Sequence, residues 1–331
     1  MNEFILYQPK DVKKIINFRE GETKFGERIS FVDSFENLTS HPAKYVLFGI
    51  PEDIGIRANM GRPGSSSTWN DFLGAFLNIQ QNKYNYAEDM ILLGHVDCDR
   101  INKKAFWLSK DNEDYFSEMG RLVEEIDKIV TEVVRRIKVA GKIPVCIGGG
   151  HNNSYGMIKG CSLALERPIN VFNIDAHSDL RKLEHRHSGN GFSYVNAEGH
   201  FDRYYIFGLH KNYTPQYIFD LMDSNKSIQY LLYEESLHLT KLDKLVKMKS
   251  GFDFLRNSFG FELDCDVIEN FNSSAITPSG FTFSEIRNFI KLAKKFKVHY
   301  VHICEAATKD SPLVAKALSY LVSDFIRRDE D

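Results

Sequence analysis

The stretch Ile169-Asn-Val-Phe-Asn-Ile174 runs directly into Asp175-Ala-His177-Ser-Asp179. The first part is an apolar run with β-branched and aromatic residues, which predicts a buried strand. In extended backbone, residues two apart point to the same side, so the second part presents two carboxylates and an imidazole to one small volume. The stretch therefore predicts a buried strand whose carboxyl end carries candidate metal ligands.

Two other apolar runs end in the same way. Ile143-Pro-Val-Cys-Ile147 precedes Gly148-Gly-Gly150-His151, and Phe261-Glu-Leu263 precedes Asp264-Cys-Asp266. One such motif alone is as typical of a polar loop as of a metal site, but all three follow apolar runs, and open parallel sheets bind ligands at the carboxyl ends of their strands. Together they supply enough ligands for two metal ions. These candidate ligands are His151, Asp175, His177, Asp179, Asp264 and Asp266.

The donor set indicates which metal to expect. Carboxylates and imidazoles without a thiolate suit Mn²⁺, and Zn²⁺ is its main competitor. Cys265 alternates away from its two Asp neighbours, so we expect it to pack in the core. A phosphate-binding role for Gly148–Gly150 is disfavoured, because a P-loop requires a Lys-Ser/Thr pair where His151 follows immediately.

Composition excludes several classes of function. The chain has 331 residues, 43% of them hydrophobic and 26% charged, with a formal net charge of −3. Lysine and arginine are scattered among acids, so we expect no nucleic-acid partner. No apolar run approaches the roughly 20 residues of a membrane span, so we expect no membrane association. Five cysteines without a C-x-x-C pair, and no secretory signal, predict a cytoplasmic protein.

Short apolar runs alternate with helical patterns along the chain. The near-continuous apolar character of the runs predicts strands covered on both faces, as in parallel sheets. Strand–helix alternation predicts an α/β fold of three layers. No linker rich in Pro, Gly or Ser divides the chain, so we predict a single domain over residues 1–331. The eight strand candidates are residues 45–50, 90–93, 143–147, 169–174, 204–209, 228–233, 259–263 and 298–304.

Several helices are predicted between these strands. Apolar residues recur at spacings of three and four over residues 122–137, and Gly141 follows as a stop signal. Thr282-Phe-Ser-Glu285 is a capping box that opens a helix to about Phe296. Residues 214–223 and 313–327 also read as helical. The irregular stretch 95–117 is interpreted as a connecting excursion.

The three motifs resemble those of the ureohydrolase (arginase) superfamily, whose members carry Gly-Gly-x-His, Asp-Ala-His-x-Asp and a later Asp-x-Asp. Here these stand at Gly149–His151, Asp175–Asp179 and Asp264–Asp266, in the same order. The resemblance covers roughly residues 45–325. It implies a three-layer α/β/α arginase-like fold with an eight-stranded parallel sheet, in one ureohydrolase-like domain. It also implies trimers or hexamers, the homo-oligomers of this family.

The resemblance further implies a centre of two Mn²⁺ ions per subunit. A hydroxide that bridges the ions would attack the C=N carbon of a guanidinium or amidine, and an amine would leave. Asp179 would accept a hydrogen bond from the hydroxide and orient it. By analogy, His151 and Asp179 would hold one ion, His177 and Asp266 the other, and Asp175 and Asp264 would bridge.

Three departures from arginase concern the substrate. In the loop His187-Ser188-Gly-Asn190-Gly-Phe192, Phe192 replaces a histidine that shuttles protons in arginase, and His187 is the candidate substitute. Tyr213 stands near an arginase Asp that contacts the substrate amino group. Gly150 stands where arginases and agmatinases usually carry Asp, whereas formimidoylglutamases often have Gly-Gly-Gly-His.

The segment Gly49–Gly64 is similar to the formimidoylglutamase entrance segment. The resemblance thus favours hydrolysis of N-formimidoyl-L-glutamate to L-glutamate and formamide, a late step of histidine degradation. Such an acidic amidine needs basic partners, with Arg favoured for bidentate pairing. Arg181 should lie nearest the metals, two residues beyond Asp179. The candidates for this role are Arg57, Arg62, Arg181, Arg186 and Lys211.

Other polar groups complete the predicted site. Glu305 ends the last strand, where arginases hold the guanidinium, so we expect it to bind the formimidoyl N–H groups; Ala306-Ala307-Thr308 follows, without the family's usual nearby Pro. Ser188 and Asn190 are candidate hydrogen-bond partners of the substrate, or else a flexible turn. Alternative functions are a guanidino hydrolase of the arginase, agmatinase or guanidinobutyrase type, a hydrolase of another substrate, and a non-catalytic binding protein.

Overall fold

The structure is a computed structural model that describes residues 3–309 and 311–328. The strands are β1 (Phe4–Leu6), β2 (Tyr45–Gly49), β3 (Met90–Val96), β4 (Ile143–Ile147), β5 (Ile169–Ile174), β6 (Phe201–Leu209), β7 (Ile228–Leu232), β8 (Ser258–Asp264) and β9 (Lys297–Cys304). The α-helices are α1 (Pro9–Val12), α2 (Ile54–Ala58), α3 (Thr68–Phe76), α4 (Asp99–Phe106), α5 (Tyr115–Val139), α6 (Ser154–Leu165), α7 (Gly191–Ala197), α8 (Gln216–Ser224), α9 (Tyr233–Ser236), α10 (Lys241–Phe254), α11 (Phe283–Ala293) and α12 (Pro312–Ile326).

The strands form one sheet in the order β1-β3-β2-β4-β9-β8-β5-β6-β7. Every pairing among β2 to β9 is parallel, which confirms the predicted eight-stranded parallel sheet. A ninth strand, β1, joins it antiparallel to β3, with Phe4 opposite Val96. The sequence analysis missed β1 because its three residues are too short to show a hydrophobic period.

Alternate side chains of each strand enter two separate cores, one on each face of the sheet. In β5, for example, Val171 packs with α5 and α6, whereas Phe172 packs with α10 on the other face. Helix α5 buries the apolar stripe that includes Ile126 and Val133, and it lies against α6. The fold is therefore the predicted three-layer α/β/α arrangement.

The helix predictions hold, with shifted ends. Helix α5 begins at Tyr115, seven residues before the predicted start, and the buried Tyr115 and Met119 continue its apolar stripe through the first two turns. The capping box at α11 is present: Thr282 Oγ1 accepts from Glu285 N at 3.2 Å, and Glu285 Oε2 accepts from Thr282 N at 2.9 Å. The stretch 95–117 is not simply a connection, since it contains α4; only Ile101 and Ala105 of α4 are buried, too few for a recognisable period.

The sheet places four strand ends side by side. Strands β4, β9, β8 and β5 are consecutive neighbours at its centre, and their carboxyl ends carry all the motifs that the sequence analysis selected. Within the described residues, no helix combines the length and the apolar character that crossing a bilayer requires.

Candidate metal centre and substrate cavity

His151 lies at the meeting point of three aspartates. Its Nδ1 is 2.8 Å from Asp179 Oδ2, 3.1 Å from Asp175 Oδ2 and 3.2 Å from Asp264 Oδ2. These side chains leave from the ends of β4, β5 and β8, and all four are buried. The strand register thus brings together residues that are more than a hundred positions apart in the sequence.

A second group lies beside the first. His177, Asp264 and Asp266 each offer a ligand atom within 4.8 Å of the others. His177 Nδ1 is 3.6 Å from Asp175 Oδ1 and 4.0 Å from Asp266 Oδ2. Asp264 belongs to both groups, as a bridging ligand would. The grouping agrees with the ligand assignments that the resemblance implies, which stay predictions. We call these six residues the floor of the site.

The floor has the properties of a site for divalent cations. Within the described chain, both ring nitrogens of buried His151 lack a hydrogen-bond partner, although three carboxylates surround Nδ1. Burial and the neighbouring aspartates raise the pKa of Asp264 well above its usual range, and burial together with Asp175 raises that of Asp179. Clustered carboxylates repel one another, and a cation would remove that repulsion. The residues therefore fit two divalent ions.

The turn before His151 is held by a buried carboxylate. Glu52 Oε1 accepts from Gly150 N at 3.0 Å and from Asn153 Nδ2 at 2.6 Å. Gly149 has a φ of +75°, and a Cβ there would lie 2.3 Å from Asn153 Nδ2. Only glycine fits this conformation and this space. The glycine run thus lets the backbone approach Glu52 closely, and this contact fixes the position of His151.

Two non-glycine residues of the site have left-handed backbone. Asp179 has a φ of 52° and Glu305 a φ of 62°. Such conformations cost on the order of 1–3 kcal/mol each and persist where the surroundings hold them. Glu305 is held because its Oε1 accepts a hydrogen bond from His151 N at 2.5 Å, while its buried Oε2 has no partner among the described residues. One carboxylate oxygen of Glu305 is therefore without a hydrogen-bond partner in the described part of the chain.

A cavity of about 190 Å³ opens above the floor. Glu305 and four of the floor residues line it from below. We call the side chains that line its upper wall the rim; they come from five separate segments and include Asn59, Arg181, Ser188, Tyr213 and Ser274. The cavity thus joins the candidate metal centre to solvent.

Arg181 is the basic group of this rim. It is the only lysine or arginine among the described residues that line the cavity. The structure shows neither an ion pair nor a hydrogen bond from its guanidinium to any described residue. Its backbone N donates to Gly189 O at 3.0 Å, which ties it to the loop that carries Ser188. Within residues 3–309 and 311–328, therefore, the guanidinium at the mouth of the cavity is unpaired.

The other arginine candidates do not line the cavity. Arg57 Nη2 donates to Ala105 O at 2.7 Å, and Arg62 Nη2 donates to Asn272 and to Ser273 O. Arg186 is buried in a bidentate pair with Asp127, with 2.9 Å between Arg186 Nε and Asp127 Oδ2. Lys211 is exposed outside the cavity lining. Intramolecular partners occupy the three guanidinium groups, which sequence spacing does not reveal.

Two predicted residues of the 187–192 loop, Asn190 and His187, make hydrogen bonds that hold the loop and do not line the cavity. Asn190 accepts from Arg186 Nη1 and donates to His185 O at 2.9 Å. His187 is buried: its Nδ1 accepts from Gly189 N at 3.1 Å and its Nε2 contacts Glu184 Oε1 at 3.0 Å. Burial lowers the pKa of His187 to about 4. Neither side chain lines the cavity, whereas Ser188 does and accepts from Asn59 Nδ2 at 3.1 Å.

Aromatic rings cover the two candidate histidine ligands. Phe192 contacts His151 edge to face, with 5.2 Å between ring centroids. Tyr213 stacks on His177 at 5.2 Å, and its other neighbour is His210 at 5.1 Å. Both aromatic residues mark departures from arginase, and both pack against the floor.

The sequence analysis missed several residues of this site. Ser274 Oγ and Ala275 N donate to Asp266 at 3.1 and 2.9 Å, and Asn59 lines the rim. Their loops carry no motif, so no sequence signal marks them. Glu52 and Glu262 did leave a signal, because each is a charged residue in or next to an apolar run, yet neither was selected.

Comparison with known proteins identifies the family of the chain. A model of the arginase family matches residues 43–318, which is most of the chain. The chain belongs to the arginase family. Curated relatives include the formimidoylglutamases of Macrococcus caseolyticus, 27% identical over 56% of this chain, and of Streptococcus pyogenes, 29% identical over 63%. Each of these matches spans 60% of the relative's own length.

Solved structures of arginase-family proteins share the fold. A formiminoglutamase of Trypanosoma cruzi with Mn²⁺ superposes with a TM-score of 0.71 at 19% identity, over 92% of this chain and 97% of that one. The agmatine ureohydrolase of Thermoplasma volcanium gives a TM-score of 0.66 at 20% identity, over 96% of each chain. At these identities, the likeness establishes the fold of this arginase-family protein and not its substrate.

Proposed function

We propose that this arginase-family protein hydrolyses a linear amidine at a binuclear metal centre, and that the substrate is N-formimidoyl-L-glutamate. The observation that carries the proposal is the cavity itself. It has carboxylate and imidazole ligands on its floor, and on its rim the Arg181 guanidinium, which has no partner among the described residues. Water would add to the formimidoyl carbon, the bond from that carbon to the glutamate nitrogen would break, and L-glutamate and formamide would leave.

The floor would hold two Mn²⁺ ions, through His151 and Asp179 on one side, His177 and Asp266 on the other, and Asp175 and Asp264 between them. Oxygen and imidazole donors suit Mn²⁺, and Zn²⁺ is the main competitor. Two divalent cations would supply Lewis acidity and a lowered pKa of water. Asp179, which also lines the cavity, would accept a hydrogen bond from the attacking water and orient it.

Glu305 would hold the reacting end of the substrate. Its free Oε2 is buried at the edge of the floor, where an amidine N–H can donate to it. A charge-assisted hydrogen bond of this kind is about twice as strong as a neutral one. The contact would orient the formimidoyl carbon toward the attacking water and stabilise positive charge on its nitrogens.

Arg181 would hold the other end of the substrate. A guanidinium pairs with a carboxylate in bidentate geometry, and no described acidic partner competes for Arg181. Ser188 would add a hydrogen bond beside it. Tyr213 gives the rim an uncharged ring at the position where a cationic substrate would need an acid. The rim is therefore complementary to an acidic amidine.

Gly150 supports the same choice of substrate. A Cβ at this position would lie 2.5 Å from Asn152 Oδ1 and 2.9 Å from Ile56 Cγ1. An aspartate, the usual residue of arginases and agmatinases in the resemblance described above, would require the side chains of Asn152 and Ile56 to shift. The turn is built for glycine, as in formimidoylglutamases.

The test is a comparison of substrates on protein reconstituted with Mn²⁺. We expect release of L-glutamate and formamide from N-formimidoyl-L-glutamate, and loss of this activity after metal is stripped. L-Arginine, agmatine and 4-guanidinobutyrate are the competitors, with urea as the readout. A higher kcat/KM for any guanidino compound than for N-formimidoyl-L-glutamate would overturn the proposed substrate and leave the metal centre standing.

A further inference from the structure

Glu262 is a charged residue in the middle of the buried strand β8. It is fully buried, with 0% of its surface exposed. Its Oε1 accepts from Tyr300 OH at 2.6 Å, and its Oε2 lies 2.6 Å from His302 Nδ1. The same Oε2 is 3.5 Å from Nε2 of His151. Glu262 therefore stands behind the candidate metal ligand His151, on the side away from the cavity.

The position of Glu262 follows from the strand. Residues two apart in a strand point to the same side, so Glu262 lies on the face of Asp264, the ligand that both metal groups share. Across the neighbouring strand, Glu262 is in register with His302. Glu262 thus lies on the strand that ends in the floor residue Asp264, two residues before it.

The packing of β8 against β9 allows the Tyr300 hydroxyl to contact Glu262. Gly260, two residues earlier, has no side chain, and a Cβ there would lie 2.2 Å from Tyr300 Cε1. The ring of Tyr300 occupies that space, which is how its hydroxyl reaches Glu262. Tyr300 and His302 both come from β9 and hold one carboxylate oxygen each, and the oxygen that His302 contacts also lies 3.5 Å from His151 Nε2.

Stability alone does not account for this arrangement. A buried carboxylate costs free energy, and well-packed apolar residues in its place are often neutral or stabilising. The strand is otherwise apolar before the floor, with Phe259, Phe261 and Leu263 buried. A carboxylate here is explained by what it touches. His151 Nδ1 faces the three aspartates of the floor, and its Nε2 faces Glu262.

We infer that Glu262 is a positioning residue of the metal centre, which fixes the ring of His151 so that Nε2 carries the proton and Nδ1 is free to bind a metal ion. Carboxylates commonly play this part behind metal-binding histidines, where they set the tautomer and raise the basicity of the ligand. This inference rests on the binuclear centre of the proposed function. It adds Tyr300 and His302 as the residues that hold Glu262.

The test titrates metal-free protein with Mn²⁺ and follows the free ion by electron paramagnetic resonance. Glu262→Gln keeps the size of the side chain and removes its charge. We expect it to weaken the binding of one Mn²⁺ per chain by about tenfold to a hundredfold, with the other ion less affected. Tyr300→Phe removes one hydrogen bond to Glu262 and should weaken the same ion by a smaller factor.

His299→Gln is the matched control. His299 is also a buried histidine of β9, but its Nε2 contacts Ser258 Oγ at 3.0 Å, at the opposite end of the two strands. We expect its two Mn²⁺ dissociation constants to match those of the wild type, whatever happens to its melting temperature. The control separates damage to these strands from damage to the metal centre.

Two results would overturn the inference. One is a folded Glu262→Gln variant with both wild-type dissociation constants, since a merely structural role lowers the melting temperature without changing Mn²⁺ affinity. If Glu262→Gln does not fold, the other is an unchanged affinity in Tyr300→Phe. Failure of the wild type to bind Mn²⁺ is a separate outcome, because it would overturn the proposed function as well.

Discussion

The floor and the rim of the cavity are built in different ways. Floor residues lie at the ends of neighbouring buried strands or up to five positions beyond them, so the register of the sheet decides where they lie. The named rim residues sit on loops between those strands and helices, and side-chain contacts, some within a loop and some to distant segments, decide which candidates face the cavity. Asp179 and Arg181, only two residues apart, mark the border between the two regions.

In this comparison the floor accounts for the reaction, and the rim accounts for the choice of substrate. The floor offers six ligand side chains that fit two cations whatever the substrate. The rim offers the Arg181 guanidinium, which no described residue pairs with, and several neutral groups, and we propose that these favour one class of substrate. Substitutions on the floor should therefore abolish metal binding, and substitutions on the rim should change affinity for substrate.

Asp264→Ala should have the largest effect, because it removes the carboxylate that belongs to both metal groups. We expect less than one tightly bound Mn²⁺ per chain, and a fall in kcat/KM of a thousandfold or more, about 4 kcal/mol of lost stabilisation. Metal analysis and the glutamate-release assay measure both. Asp202→Ala, at an exposed Asp on β6 that pairs with Arg256, is the control. Full activity of Asp264→Ala would contradict the floor assignment.

Glu305→Gln should come next. It keeps the shape of the side chain but removes the charge of the free carboxylate oxygen that we assign to the amidine. We expect kcat/KM to fall by about a hundredfold to a thousandfold, as when one preorganised hydrogen-bonding group is lost from an active site. Bound Mn²⁺ should stay at two per chain. Wild-type kcat/KM in this variant would remove Glu305 from the substrate site.

Arg181→Ala should raise KM for N-formimidoyl-L-glutamate with a smaller change in kcat. Loss of a charged hydrogen bond costs about 1.5–3 kcal/mol, which is roughly a 10- to 150-fold change. Arg57→Ala is the sharp comparison, since its guanidinium already bonds to Ala105 O, and we expect its KM to stay within about twofold of the wild type. Equal KM values for the two variants would remove Arg181 as the carboxylate partner.

His187→Gln should have the smallest effect on catalysis, within a fewfold in kcat, because His187 does not line the cavity. Its effect on stability should depend on pH. Burial lowers the pKa of His187 to about 4, whereas an unfolded histidine titrates near 6.5. Between these values the unfolded chain binds the proton, so this residue lowers the free energy of unfolding as pH falls.

The pH dependence of this variant is measured against the wild type by calorimetry. Any advantage in melting temperature that the wild type has at pH 7 should shrink as pH approaches 4.5, because the glutamine does not titrate. Parallel melting curves across this range would contradict the neutral, buried state of His187. If the pH profile of kcat for His187→Gln lacked one of the titrations seen in the wild type, His187 would instead have a catalytic role.

The division between floor and rim also explains which residues of the site could be predicted from the sequence. The floor was predictable because apolar runs fix the strands, and a parallel sheet then brings the residues after them together. Two of the predicted substrate contacts, Arg181 and Ser188, do line the cavity. Arg181 is two residues from the floor residue Asp179, and Ser188 lies in the loop to which the Arg181 backbone is bonded. Arg57 and Arg62 do not line it, since their partners, such as Ala105 and Ser273, lie in other segments that no local pattern connects. Asn190 does not line it either, because its amide is bonded within its own loop to Arg186 and His185.

Other misses have equally specific causes. Strand β1 was too short for a period, and α4 carries only two buried residues in an otherwise polar stretch. Glu262 was visible as Glu-Leu-Asp, but the alternation that selected Asp264 and Asp266 was not extended two residues backward. A charged residue inside a buried strand is a signal in its own right, since it costs free energy unless something nearby uses it.

The most direct test of the central claim is anomalous diffraction at the manganese edge from crystals of the wild-type protein grown with saturating Mn²⁺. The account predicts two peaks per chain, one beside His151 and Asp179 and one beside His177 and Asp266, with Asp264 in contact with both. A single peak, or none within reach of these side chains, would contradict the binuclear centre on which the proposed function depends.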